Sequence, residues 1–203
     1  MIETIDMLTH EKAAQAQGFL RICGVDEVGW GPLAGPIYSC AVILPEGFDM
    51  AGVTDSKKLS EKKREALYEP LCEAVTYSIG ICTVEDFECM GAAAVRWESM
   101  RRAVTGLPVA ADYALVDGNH MPMLDIGGQC IVKGDAASAS IAAASIIAKV
   151  ARDRYMVELA QEYPQYGFEV HKGYGTKMHM EAIRQYGPCP AHRSQYIRKV
   201  LAG

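Results

Sequence analysis

No pair of the seven cysteines stands in a C-x-x-C arrangement, and their number is odd. A complete disulfide framework and a zinc ribbon are both excluded on that ground. Cys23, Cys40, Cys72, Cys82, Cys89 and Cys130 sit in apolar surroundings and are expected as reduced, packed thiols; Cys189, between two prolines, is expected as a loop residue without a role. No apolar run approaches the roughly 18 residues of a membrane span. Met1 to Gly18 carries acids and glutamines rather than a basic and then apolar leader, so a cytoplasmic chain away from membranes is expected. Repeats, linkers and low-complexity tracts are also missing. Half of the 203 residues are apolar, enough to bury a substantial core.

Net charge is −5, unevenly spread. Pro164 to Gly203 holds six Lys or Arg against two acids, a net +4 that leaves −9 on the remainder. A basic nucleic-acid face beside an acidic metal pocket has this distribution, and so does a solvated terminal helix.

Ile22–Asp26, Ile37–Leu44, Thr76–Cys82, Tyr113–Val116 and Ile131–Val132 read as strands. Helices are expected over 60–75, over 84–104 with a break at Gly91, from 136 to 162 ahead of Pro164, and over 177–185 and 193–201. The alternation describes an α/β domain with a basic helical C-terminal segment.

Gly29-Trp30-Gly31-Pro32-Leu33-Ala34 fits the text of a dinucleotide fingerprint, but a strand-like run follows it where that motif needs a helix. The carboxylates are more informative. Asp26 and Glu27 end the first strand, Asp117 ends a later one, and Asp135 follows Val132-Lys133-Gly134. Acids gathered at strand ends repel unless cations sit among them, and hard oxygen donors select Mg²⁺ or Mn²⁺. Each acid also has a structural reading: Asp117 as an Asp-Gly turn, Asp135 as a helix cap, Asp26-Glu27 as a solvated strand end.

Thr54-Asp55-Ser56-Lys57-Lys58 offers phosphate donors just before a helix, or a solvated helix face. Ser145, Lys149 and Asp153 share one helical face, where Lys149 either meets phosphate or pairs with Asp153. His171-Lys172-Gly173-Tyr174-Gly175 sets an aromatic ring between glycines and cations, as stacking on a sugar or base requires. The histidines show no zinc spacing, and Trp97 reads as core.

Together these blocks resemble the bacterial ribonuclease HII family, the type 2 ribonucleases H. The matching segments are GVDEVGWGPLAGP from Gly24, DSKKLSEKKREALYE from Asp55, LVDGN from Leu115, VKGD with AAASIIAKVARD between Val132 and Asp153, and YPQYGFEVHKGYGT from Tyr163. They stand in the family's order and span most of the chain. The resemblance implies a ribonuclease H-like α/β fold, a central mixed sheet flanked by helices. Residues 1–163 would form the catalytic core, with 164–203 a small helical segment packed on the same domain.

It further implies that Asp26, Glu27, Asp117 and Asp135 hold two divalent cations, Mg²⁺ or Mn²⁺. One would activate water and the other would stabilise the leaving 3′ oxygen. The implied substrates are RNA–DNA hybrids and duplex DNA carrying a single ribonucleotide, cut on its 5′ side to leave 3′-hydroxyl and 5′-phosphate ends by a monomeric enzyme. Gly29, Trp30 and Gly31 occupy the family's 2′-hydroxyl-gripping loop, and Tyr174 its deoxyribose-packing position. Lys57, Ser145, Lys149, His171 and Lys172 are further candidates for phosphate contact or support.

Trp30 replaces the family's arginine, and an indole has one neutral donor. The loss of one charge-assisted hydrogen bond is worth about 1.5–3 kcal/mol. An alternative therefore stands beside the nuclease: a hybrid-binding protein with weakened catalysis. A structure-specific DNA resolvase on the same fold is a further rival, against which the HKGY block and the Gly-x-Gly loop argue.

Overall fold

The computed structural model describes residues 6–49, 52–53 and 56–202. In chain order these give α1 (Thr9–Ala16), β1 (Ile22–Val28), β2 (Ile37–Ile43), α2 (Glu61–Ala74), β3 (Thr76–Cys82), α3 (Val84–Met90), α4 (Ala92–Thr105), β4 (Tyr113–Asp117), β5 (Gly127–Ile131), α5 (Ala139–Glu162), α6 (Phe168–His171), α7 (Lys177–Tyr186) and α8 (Ser194–Leu201). The five strands form one mixed sheet in the order β3-β2-β1-β4-β5. The β3-β2-β1 half is antiparallel and the β1-β4-β5 half parallel.

Alternation along the central strands sorts the core into two layers. Cys40 and Val42 face α5, packing on Ala143, Ile146 and Ile147. Cys23, Val25, Ala41 and Val116 face α4, packing on Met100 and Ala103. Helix α5 lies against β1 so closely that a Cβ at Gly24 would stand 2.2 Å from the Ser140 carbonyl carbon. Only glycine permits that approach, which brings the α5 side chains to the acidic end of β1.

Helix ends follow capping chemistry. Ser60 caps α2 through the Lys63 amide, and a Thr83–Asp86 capping box starts α3. Two expectations shift. The fifth strand is Gly127–Ile131 rather than 131–132, with Val132 left exposed; Gly127-Gly128 lacks the β-branched side chains that mark strands. Helix α5 begins at Ala139 with Ser138 as its cap, so Asp135 is not the cap but lies in the 3-10 turn Gly134–Ala136. Helix α1 is an addition, its Glu11 buried against the start of α5, where Oε1 accepts from Ser138 Oγ, Ser140 N and Ser140 Oγ.

The described cysteines are free. Cys89 is exposed rather than packed, and Cys189 is half-buried with its sulfur 3.2 Å from His192 Nδ1. No described helix is long and apolar enough to cross a membrane.

Candidate active site

The parallel pairing of β1 with β4, Val25 beside Val116, aligns the ends of both strands. Asp26 and Glu27 thereby come beside Asp117, and the turn after β5 adds Asp135. The Gly134 amide donates to Asp117 Oδ1 at 2.7 Å, which fixes that turn against the end of β4.

The electrostatics are those of crowded acids. Burial, then repulsion from Glu27 and Asp117, pushes Asp26 well above the usual carboxylate range, although the Ser145 hydroxyl and the Glu27 amide favour its charged form. Burial also raises Glu27, against the opposing pull of Arg96. Asp117 is raised by burial, with Asp135 adding repulsion and the Gly134 amide opposing. Two cations each hold one acid: Lys57 Nζ donates to Asp135 Oδ2 at 2.8 Å, and Arg96 Nη2 lies 2.9 Å from Glu27 Oε1. Glu27 Oε2 is buried without a hydrogen-bond partner.

Asp26, Glu27, Lys57, Ser145, Lys149 and Tyr174 line one cleft of about 120 Å³. Cavities of about 350 and 560 Å³ lie elsewhere, between β2 and the end of α5 and beside α1; the second is lined by Glu11, Lys12 and Glu46, of which Glu11 is engaged by Ser138 and Ser140 and Lys12 by Asp6. Among the described residues, no group of three or more His, Cys, Asp or Glu side chains stands at metal-ligating distance. The acids are neighbours coupled through their charges.

Of the sequence candidates, Ser145 meets Ser56 Oγ at 2.8 Å beneath the cleft, while Lys149 pairs with Asp153 at 2.7 Å and still reaches the cleft wall. Thr54 and Asp55, which begin the hydroxyl-rich stretch, lie outside the described residues. Lys172 is buried, its ammonium on the Glu169 carbonyl at 2.5 Å and 3.4 Å from Glu61, so it braces the loop against α2 rather than presenting a surface charge. With Arg193 also buried, two of the six basic groups in the C-terminal segment belong to the interior. Trp30 is partly exposed, yet its indole N–H is spent on the Ala92 carbonyl at 2.8 Å.

His171, His179 and His192 gather under Tyr174 despite their scattered positions. The Gly173 amide donates to His171 Nδ1, which leaves Nε2 to donate to the Tyr166 carbonyl at 2.7 Å. This geometry suits support, not phosphate contact. The Cys189 amide donates to His192 Nδ1, so His192 Nε2 carries the proton and donates to His179 Nε2 at 3.0 Å. His179 Nδ1 then donates to the Tyr174 carbonyl at 2.9 Å. Burial lowers His179 and His192 to about 4, keeping this chain of rings neutral.

Sequence reasoning missed the arginines that hold the glycine loop and the tyrosine loop. Arg193 donates to the carbonyls of Gly29, Trp30, Pro32 and Gly35. Arg152 donates to Ala34, Pro36 and Lys172, joining the glycine loop to the tyrosine loop. A Cβ at Gly29, where φ is +89°, would stand 2.1 Å from Arg152 Nε. Nothing in the sequence singled Arg152 out, because Lys149, Asp153 and Arg154 flank it on α5.

A family model described as Ribonuclease HII matches residues 23–199. The chain is 50% identical over 183 residues to the ribonuclease HII of Neisseria meningitidis serogroup C, covering 88% of this chain and 94% of that protein. Its fold is similar to the crystal structure of ribonuclease H2 from Pyrococcus horikoshii, with a TM-score of 0.75 and 27% identity over 90% of this chain and 98% of that one. Bst-RNase HIII, solved in complex with Mn²⁺, shares the fold at a TM-score of 0.75 and 20% identity, covering all of this chain and 76% of that one.

Proposed function

This chain belongs to the ribonuclease HII family and is a ribonuclease H hydrolase, and from that membership we propose how its cleft works. It hydrolyses the RNA strand of RNA–DNA hybrids and cuts 5′ of a single ribonucleotide in duplex DNA, leaving 3′-hydroxyl and 5′-phosphate ends. The observation that carries this reading is the convergence of Asp26, Glu27, Asp117 and Asp135 at neighbouring strand ends, opposite the Tyr174 loop.

The donor set fits hard divalent cations: it is all oxygen, three of its acids have raised affinity for protons, and Glu27 Oε2 lacks a partner. Asp26, Glu27, Asp117 and Asp135 would hold Mg²⁺ or Mn²⁺, which when bound supplies activation of water and charge stabilisation at the leaving oxygen. Bst-RNase HIII with its Mn²⁺ supports this choice of metal by analogy of fold. Lys57 and Lys149 balance charge at the cleft and meet phosphate. The main chain of Gly29–Gly31, fixed from beneath by Arg193, reads the 2′-hydroxyl. Tyr174, kept outward by the neutral histidine chain, packs on the adjoining sugar. All these groups come from one chain, so a cytoplasmic monomer suffices, with residues 164–203 part of the same domain.

A second reading rests on Trp30, whose only side-chain donor is already spent on Ala92. It takes the protein as a hybrid binder with weakened catalysis. Incubation of a labelled RNA–DNA hybrid with the protein and Asp117→Asn, in Mg²⁺, Mn²⁺ or chelator, separates the two. Metal-dependent cuts with 3′-hydroxyl ends, absent from the variant, support the nuclease; retention of the hybrid without cuts supports the binder.

A further inference from the structure

Arg96 connects elements that the chemistry above treats separately. It lies on α4, one turn after Ala92, whose carbonyl takes the Trp30 indole proton at 2.8 Å. Its guanidinium carbon stands 5.1 Å from the Trp30 ring centroid and 4.9 Å from that of Trp97. Both distances fall within the range of cation–π attraction. From this seat Nη2 reaches Glu27 Oε1 at 2.9 Å. The other side of the group lies near the turn after Asp117, where a Cβ at Gly118 would be 3.6 Å from Arg96 Nη2.

The pair is incomplete on both sides. Arg96 Nε and Glu27 Oε2 are each buried with no hydrogen-bond partner. A bidentate pair would satisfy such atoms; here the guanidinium is oriented by two rings, and one carboxylate oxygen keeps its lone pairs. Arg96 therefore orients Glu27 without consuming its capacity to bind a cation.

We infer that Arg96 is a positioning residue that aims Glu27 at the divalent cation and, through Trp30, ties cation capture to the seating of the Gly29–Gly31 loop. This rests on the nuclease reading of the cleft. When Glu27 engages a cation, the negative charge facing Arg96 is shared, and the guanidinium shifts against both rings. Trp30 and Trp97 are the only tryptophans in the chain, so its entire indole emission reports that shift.

The test is a Mg²⁺ titration of the full chain without nucleic acid, read by tryptophan emission and by the rise in melting temperature, alongside hybrid cleavage. The wild type is expected to show a saturable emission change. Arg96→Met is expected to raise the half-saturating Mg²⁺ concentration about 10–100-fold, the usual cost of removing a group that orients a ligand, which outweighs the relief from removing a cation beside Glu27. Arg96→Lys, which keeps the charge without the flat ring contact, is expected to fall between them and guards against a folding defect in the methionine variant.

Half-saturation within about twofold of wild type in Arg96→Met would overturn the inference while leaving the nuclease intact. So would a wild type that cuts in Mg²⁺ with no change in emission. A wild type that neither cuts nor responds would overturn the nuclease reading, and the inference with it.

Discussion

Two regions of this molecule bury charge in opposite ways. Arg152 and Arg193 are fully buried, yet their guanidinium groups meet seven different main-chain carbonyls between them. At the strand ends, Asp26 and Asp135 are almost as buried, beside other acids, with Lys57 and Arg96 as the only described cations paired with the cluster. A satisfied buried charge fixes a shape; an unsatisfied cluster stores repulsion that a bound cation relieves. The first region is scaffold, the second is where the proposed chemistry would sit, and the glycine loop lies between them.

The two regions should respond most differently when an acid is removed. Asp135→Asn is expected to lower hybrid cleavage by about 10²–10³-fold or more while leaving the melting temperature little changed, because relief of repulsion in the crowded cluster offsets the lost ion pair with Lys57. Steady-state cleavage and thermal melting of the same preparation check both halves.

Arg193→Ala should do the reverse. Deserted carbonyls in the loop are expected to cost about 3–5 kcal/mol of stability, measured by urea unfolding, with cleavage lost along with the fold. Equal stability in this variant would mean that the loop holds its shape unaided.

Trp30→Arg is the intermediate case. It places a charged donor in the Gly29–Gly31 loop but removes the bond to Ala92. Tighter binding to duplexes with one ribonucleotide, by about 1.5–3 kcal/mol, is expected if the cation reaches phosphate. Competition binding in Ca²⁺ measures it.

The smallest effects are in pH dependence. His179 and His192, lowered to about 4 by burial, bind protons more readily unfolded than folded between that value and about 6.5. Their contribution is complete above about pH 6.5 and is lost as pH falls towards 4, so melting temperature should decline through that window. The raised acids have the opposite sign for stability, since protonation relieves their repulsion. In the proposed mechanism cleavage needs them ionised, so its acid limb should lie above the ordinary carboxylate range and move to lower pH as Mg²⁺ rises.

Much of this was legible in the chain. An apolar run closing on Asp26-Glu27, or on Asp117, marks a buried strand that surfaces at a polar edge, and the capped helix α2 announces itself through Ser60. The glycine-led β5 was displaced because glycine carries no strand signal. Arg96, Arg152 and Arg193 were invisible as supports, since an arginine in a helical pattern reads as solvated until the opposing carbonyls or rings are known. The histidine chain was hidden for a related reason: residues 171, 179 and 192 meet only after α7 folds back over the tyrosine loop.

The most direct test of the account is scission of a labelled DNA duplex carrying one ribonucleotide, beside the same duplex made wholly of DNA, in Mg²⁺ and in chelator. The expected result is a single nick on the 5′ side of the ribonucleotide in Mg²⁺ alone, with the all-DNA duplex intact. Cutting that persists in chelator, or that ignores the 2′-hydroxyl, would contradict it.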